Sequence, residues 1–295
     1  MTGAVAGVAV VHFGDPQPTQ RCLASVAAEA SRIERRVVVI DNSGNMDPGR
    51  LEADVQLVTR PDNPGFGAAA NLGLDSVDHD HRCSLFLVLN NDAVLASGFL
   101  DAAASALENG VGAAGGPIRT GGNASHYWYA GGGLNYLTGT VWQQHSAAAA
   151  RRRREVGFIP ATAIAVAPDA WREVGGFDPR FFLYNEDVDL CLRLRRAGWR
   201  LLFEPRMVCD HRLGGATGSA DCSPLYLEHL TRTRLLPFRP LLYRLYLAAV
   251  HSLYNTVRVV SLGLRHGRSG GPYIRAVVRG HLEALSGVFG STDSY

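Results

Sequence analysis

Three short stretches concentrate the side chains able to do chemistry. Asn185-Glu186-Asp187-Val188-Asp189 packs three carboxylates into five positions, Asn90-Asn91-Asp92 ends an apolar run, and Val208-Cys209-Asp210-His211 offers an imidazole beside a carboxylate. A positioned carboxylate can take the proton of a reacting hydroxyl as a general base. Carboxylate oxygens can also hold a hard divalent ion. Plainer readings stand beside these: acids in a first turn complement the helix dipole, and one histidine among ten is usually a packing residue. A fourth stretch, NPGFGAAANLG at 63–73, contains Gly65-x-Gly67-x-x-Ala70, the spacing of a dinucleotide-binding turn.

Alternating apolar runs and helical patterns must position these groups. Strands are expected at 5–13, 36–43, 55–59 and 84–92, with helices at 19–30 (capped by Thr19), 67–77 and 97–109. Uniformly apolar strands separated by helices make a mostly parallel sheet covered on both faces, and ligands bind beyond the carboxyl ends of such strands. Asp41, Asn42, Asn90, Asn91 and Asp92 lie there. Residues 110–140 suggest short hairpins, and AAAARRRRE at 147–155 suggests a mobile loop. A strand at 157–168 and a helix at 169–174 follow. A second helix covers 184–199, with Asn185 as its cap, acids in its first turn and Gly198 as its stop. A dinucleotide turn follows the first strand, whereas this glycine pattern follows the third, and HFGDP after the first strand lacks the spacing. A dehydrogenase is therefore disfavoured, and Gly65 and Gly67 are expected to let backbone approach a nucleotide.

Composition narrows the classes further. The 295 residues carry a net charge of +2, too little for bulk nucleic-acid binding. All 29 basic residues are arginine, so neither a Schiff-base lysine nor a Walker lysine exists. Five scattered cysteines without a C-x-x-C pair suggest reduced thiols and a cytoplasmic setting. The first residues read as a strand rather than a signal peptide, and no apolar run is long enough to span a bilayer.

VVVIDNS, NPGFGAAANLGL, LNNDAVL, VGGFDPRFFLYNEDVDLCLRLRRAGW and DHRLGG occur in the order seen in inverting glycosyltransferases of family 2. The chain most resembles their rhamnosyltransferase-like branch, over roughly residues 5–215. The resemblance implies a GT-A fold: a mostly parallel nucleotide-binding sheet flanked by helices. Residues 1–222 would form the catalytic domain, with a nucleotide-sugar half to about 110 and an acceptor half beyond it. Residues 223–295 would form a helical extension.

The resemblance also implies roles. Asp187 would be the general base, with Glu186 orienting acceptor or base, and Arg193 either a partner of the acids or a solvated residue. His12, Asp41, Asn42, Asn63, Gly65, Asn90, Asn91 and Asp92 would line the donor pocket for a dTDP- or UDP-hexose. Asp92 and His211 would hold Mn2+ or Mg2+ at the diphosphate. Asn90 stands where the family usually has an aspartate, so the site is less acidic than usual. Arg151–Arg154 would be a solvated tether or a cover for the diphosphate, and Trp128 and Tyr129 an acceptor platform or core. The acceptor is a glycan, a lipid-linked intermediate or a natural product. A non-catalytic nucleotide-sugar-binding scaffold and a sugar nucleotidyltransferase are the rival readings. HFGDPQPTQ lacks the glycine-rich basic loop of the latter. Residues 224–295 carry nine arginines against three acids. In PLLYRLYLAAVHSLYNTVRVVSLGL, Arg244, His251, Asn255 and Arg258 fall on one helical face opposite a Leu/Tyr/Val face. That apolar face would pack on the catalytic domain, form a homodimer, or lie on a membrane surface.

Overall fold

The computed structural model describes residues 3–120, 126–211, 223–238, 240–266 and 270–286. The first unit runs β1 (Val5–His12), α1 (Pro16–Ala27), β2 (Glu34–Asp41), β3 (Val55–Thr59), α2 (Phe66–Val77) and β4 (Leu85–Asn90). All eight residues of β1 are buried, as are five of six in β4, because helices cover both faces of the sheet. β1 pairs in parallel with β2 and β4, and β2 with β3. Their carboxyl ends therefore open on one edge.

β5 (Ala93–Leu95), α3 (Phe99–Ala106), β6 (Val111–Gly115), β7 (Ile118–Arg119), β8 (Tyr127–Tyr129), β9 (Gly132–Asn135) and β10 (Thr140–Gln143) follow. Next come α4 (Ala147–Ala150), β11 (Arg154–Glu155), β12 (Ala163–Val166), α5 (Pro168–Val174), α6 (Glu186–Arg196), β13 (Arg200–Phe203) and β14 (Cys209–His211). The eight-stranded sheet has the order β11-β13-β6-β12-β4-β1-β2-β3, with β12 antiparallel to both neighbours. β9 and β10 form the expected hairpin. A smaller sheet, β5-β14-β7-β8, stands beside the main one.

Three local expectations need correction. α1 starts at Pro16, three residues before Thr19: Asp15 accepts from the Gln17 amide and Pro16 pre-sets the first turn, while Thr19 is buried. Residues 147–155 are not a loop but a helical turn and an edge strand, β11, antiparallel to β13. Arg154 anchors them by donating to the carbonyls of Ala130, Ala149 and Arg152 and lying 4.6 Å over the Phe203 ring. Asn185 precedes α6 as expected, but its backbone is left-handed and its side chain makes no cap bond. Cys22, Cys83, Cys191 and Cys209 are free and buried, and Cys222 lies outside the described residues.

The C-terminal helices are α7 (Pro224–Thr233), α8 (Leu241–His266) and α9 (Gly271–Ser286). α7 packs closely on α9: a side chain at Gly280 would sit 2.4 Å from the Glu228 carbonyl. α8 buries Leu247 and Ala248 but turns most of its apolar face outward. Its polar His251 and Asn255 are buried, His251 Nε2 bonding the Thr138 carbonyl at 2.6 Å, while Leu242, Leu253, Val257 and Leu264 stand in solvent. The expected apolar face exists, but it does not pack on the catalytic body. Among the described residues no helix is long and apolar enough to cross a membrane.

Candidate active site

A cleft of about 670 Å³ opens over the carboxyl ends of β1, β2 and β4. Its far walls come from the start of α6, the β9–β10 hairpin, His211 of β14 and the α7 region.

The glycine turn before α2 builds one side, and its glycines let the segment before α6 pack closely against it. Gly65 has φ +91°, and a Cβ there would lie 2.4 Å from the Phe182 carbonyl oxygen. The Phe66 amide donates to that carbonyl at 3.0 Å. A Cβ on Gly67 would meet Phe177 Cβ at 2.8 Å. Asn71 completes the joint: it accepts from the Phe177 amide at 2.9 Å and donates to the Phe177 carbonyl at 2.8 Å. The two motifs NPGFGAAANLG and GGFDPRFFLYNEDVD are thus halves of one clasp. It carries residues 177–187 to the cleft.

The chain enters α6 through Tyr184 and Asn185, both at φ +66°. Consecutive left-handed non-glycine residues cost on the order of 1–3 kcal/mol each and persist only where their surroundings hold them. Here α7 does so: Asn185 Nδ2 donates to Thr233 Oγ1 at 2.8 Å, and the Tyr184 ring meets Tyr226 edge-on at 4.9 Å. The resulting turn directs Glu186 and Asp187 into the cleft wall. Asp187 accepts from the Val188 amide at 2.8 Å and the Ala161 amide at 3.3 Å. Burial outweighs these bonds and raises its proton affinity above the usual carboxylate range. Glu186 is raised further, by burial first and then by the charge of Asp187, and its Oε2 has no hydrogen-bond partner. Two adjacent carboxyl groups of raised proton affinity thus stand in the cleft wall. Arg193 does not neutralise them: that guanidinium pairs with Asp189 at 2.6 Å and donates to the Val174 carbonyl.

Asp92 and His211 meet because of strand register. β14 runs antiparallel to β5 with His211 opposite Ala93, which sets its ring beside Asp92. His211 Nε2 lies 2.9 Å from Asp92 Oδ1, both side chains are mostly buried, and His211 Nδ1 has no partner. A carboxylate oxygen and an unsatisfied imidazole at a cleft edge fit a divalent ion whose remaining ligands come from substrate oxygens and water. Among the described residues no third His, Cys, Asp or Glu joins them. Arg212–Gly215, the rest of the DHRLGG motif, lie outside the described residues.

Asn42, Asn63, Gly65, Asn90 and Asn91 line the cleft. His12 and Asp41 do not; they lie beneath it, fully enclosed. His12 shares hydrogen bonds with Thr19 (2.6 Å) and Asn45 (2.8 Å), and Asp41 accepts from the amides of Ser43, Gly44 and Met46. Both fold the turn after β2 on which Asn42 stands. Trp128 lines the cleft near His211, ring centroids 6.0 Å apart, whereas Tyr129, its neighbour on a strand of period two, is wholly buried. None of Arg151–Arg154 reaches the cleft. Arg234, after α7, does, and nothing in the local sequence distinguishes it from the other C-terminal arginines.

Residues 5–232 match the model of the glycosyltransferase-like family 2. An N-acetylglucosaminyl-diphospho-decaprenol L-rhamnosyltransferase of Mycobacterium tuberculosis is 30% identical over 257 residues, covering 78% of this chain and 82% of its own. Two solved glycosyltransferases share the fold. GalNAc-T7 with UDP, GalNAc and Mn2+ superposes with a TM-score of 0.57 at 15% identity, over 78% of this chain and 47% of that one. The Pyrobaculum calidifontis mannosyltransferase PcManGT, with GDP-Man and Mn2+, gives 0.54 at 14% identity, over 96% and 87%. The chain belongs to glycosyltransferase family 2 and has the GT-A fold.

Proposed function

We propose that this transferase moves a single hexose, rhamnose foremost, from a dTDP- or UDP-sugar to an acceptor hydroxyl with inversion at the anomeric carbon. The carrying observation is the Glu186/Asp187 pair, held by a strained turn in the same cleft as Asp92 and His211. Asp187 takes the acceptor proton as the hydroxyl attacks from the face opposite the leaving diphosphate. Glu186, whose Oε2 lacks a hydrogen-bond partner, holds a proton and leaves the charge on Asp187. Asn42, Asn63 and the strand-end asparagines bind and orient the nucleotide sugar. Asp92 and His211 would hold Mn2+ or Mg2+, which neutralises charge developing on the diphosphate when bound.

The relative's acceptor is a lipid-linked diphosphate sugar, and that class suits this chain. The outward stripe of α8 supports it: the helix has no acidic residue but carries arginines, and it exposes leucine and valine along its length. An anionic bilayer would take up both this apolar stripe and the net positive charge of the C-terminal helices.

A transfer assay with dTDP-rhamnose and UDP-hexoses, with and without Mn2+, tests the reading. Turnover that falls on EDTA treatment and returns with metal is expected, with Asp92→Ala and His211→Ala each requiring more metal. Donor binding without transfer or hydrolysis under any condition would make the protein a scaffold. Full activity after EDTA would remove Asp92 and His211 from the metal role.

A further inference from the structure

Arg234 is the only arginine among the described residues that line the cleft, in a chain with 29 basic residues. Its guanidinium lies 5.4 Å over the ring of Tyr254 on α8. No carboxylate among the described residues pairs with it, although its neighbours are paired: Arg232 with Glu283, and Arg279 with Glu228 and Glu283. Burial, foremost, disfavours its cationic form, as does the nearby charge of Arg258, while Tyr254 partly offsets them. A partly desolvated guanidinium without a counter-ion, in the wall of a ligand cleft, is a seat for an anion.

Two phosphates could fill it, the donor's diphosphate or one on the acceptor. The donor side of the cleft is built by β2, β4 and β14. Arg234 stands on a different wall, beside Leu225, Tyr226 and Leu230. Behind it, Tyr254 is half exposed and continues into Leu253 and Val257 of the outward stripe. The cationic spot of the cleft is therefore contiguous with an apolar path to the surface. This juxtaposition fits an anionic head bearing an apolar tail. We propose that Arg234, braced by Tyr254, is a specificity-determining residue that binds the phosphate of an amphiphilic acceptor, whose apolar portion leaves the cleft along α8. The proposal rests on the glycosyl-transfer reading for the name "acceptor", but its chemistry can be read by binding alone.

The test is a titration of wild type, Arg234→Gln and Arg234→Lys, each with UDP and Mn2+ present, using a short prenyl diphosphate and the corresponding prenol. Wild type should bind the diphosphate more tightly than the prenol. Arg234→Gln should erase roughly 10–100-fold of that difference, the worth of a hydrogen bond to a charged group, and Arg234→Lys should restore part of it. Tyr254→Leu should give a smaller loss in the same ratio. Equal preference in wild type and Arg234→Gln would overturn the proposal, as would a loss confined to UDP affinity, which would assign Arg234 to the donor. If the preference behaves as expected but wild type transfers no sugar, the catalytic reading fails and the anion site stands.

Discussion

β1 and β4 bury apolar side chains on both faces, whereas α8, also rich in Leu, Tyr and Val, buries His251 and Asn255 and leaves Leu242 and Leu264 more than four-fifths exposed. In the sheet, apolar burial provides stability, and the polar exceptions at the strand ends form the site. In α8 the buried polar residues dock together with Leu247 and Ala248, and the apolar residues of the opposite face remain available. Hydrophobic pattern reports which residues share a face; it does not report which face meets the protein. Four experiments probe this division between a body that spends stability on chemistry and a helix that withholds its apolar surface.

The largest effect belongs to Asp187. Asp187→Asn should leave donor affinity near wild type and lower turnover by roughly 10²–10⁴-fold, the contribution of a positioned base. The same substitution should raise the unfolding midpoint, because it removes a carboxylate that burial disfavours. Lower activity with higher stability, measured on one purified variant, is the signature of strain kept for function. Near-wild-type turnover would remove Asp187 from the mechanism.

Gly65→Ala comes next. At φ +91° and ψ 172° the backbone is in a region that is essentially glycine's, and the new methyl would meet the Phe182 carbonyl. A loss of roughly 2–4 kcal/mol in denaturant unfolding is expected, together with reduced turnover because the displaced segment carries Glu186 and Asp187. Unchanged stability would show that the clasp yields easily. This position shows how far local sequence reaches. The glycine spacing announces a close approach; only the fold reveals that the backbone of Phe182 makes one of them.

The pH response should separate activity from stability. Asp187 and Glu186 have folded proton affinities raised above their unfolded ones, so the folded state binds more protons in that interval. Their contribution to stability is therefore present below the unfolded carboxylate range and lost as pH rises through the folded values. Turnover should move the other way, rising as Asp187 deprotonates. Opposed slopes in kcat and unfolding midpoint are the expected result, and Glu186→Gln should flatten the stability slope while keeping the kcat slope. Parallel slopes would place the titrating group elsewhere.

Much of this site was legible before the fold was seen, and the residues show why. Asp187, Asp92 and His211 belong to short motifs, and the cleft is where strand ends in an α/β sheet must put it. His12 and Asp41 occupy equally well-placed strand ends, yet their side chains turn into the loop after β2, where backbone amides and Asn45 compete for them. The Arg151–Arg154 run reads as solvated, but antiparallel pairing with β13 draws Arg154 inward. Arg234 depends on the packing of α9 against both α7 and α8 and on its own contact with Tyr254, links between segments that no local pattern encodes.

The smallest change in the protein alone should come from α8, and it inverts the usual rule for helix substitutions. Val257 is 62% exposed, so Val257→Glu should alter stability by no more than about 0.5 kcal/mol. His251→Ala removes a buried hydrogen bond to the Thr138 carbonyl and should cost roughly 1–3 kcal/mol. Binding should show the reverse order. Wild type and His251→Ala, if folded, should co-sediment with vesicles containing anionic lipid at low salt and be released at high salt, because surface charge attraction is screened. Val257→Glu, paired with Leu253→Glu, should stay in the supernatant under both conditions, since it places carboxylates against an anionic surface and removes the apolar contact. Sedimentation velocity decides the other occupant. A wild-type dimer that Val257→Glu dissociates, with no vesicle binding by either protein, would assign the stripe to a second copy of the chain. A monomer that binds vesicles through the stripe would set the mouth of the cleft, through Tyr254 and Arg234, where a lipid-linked acceptor is presented.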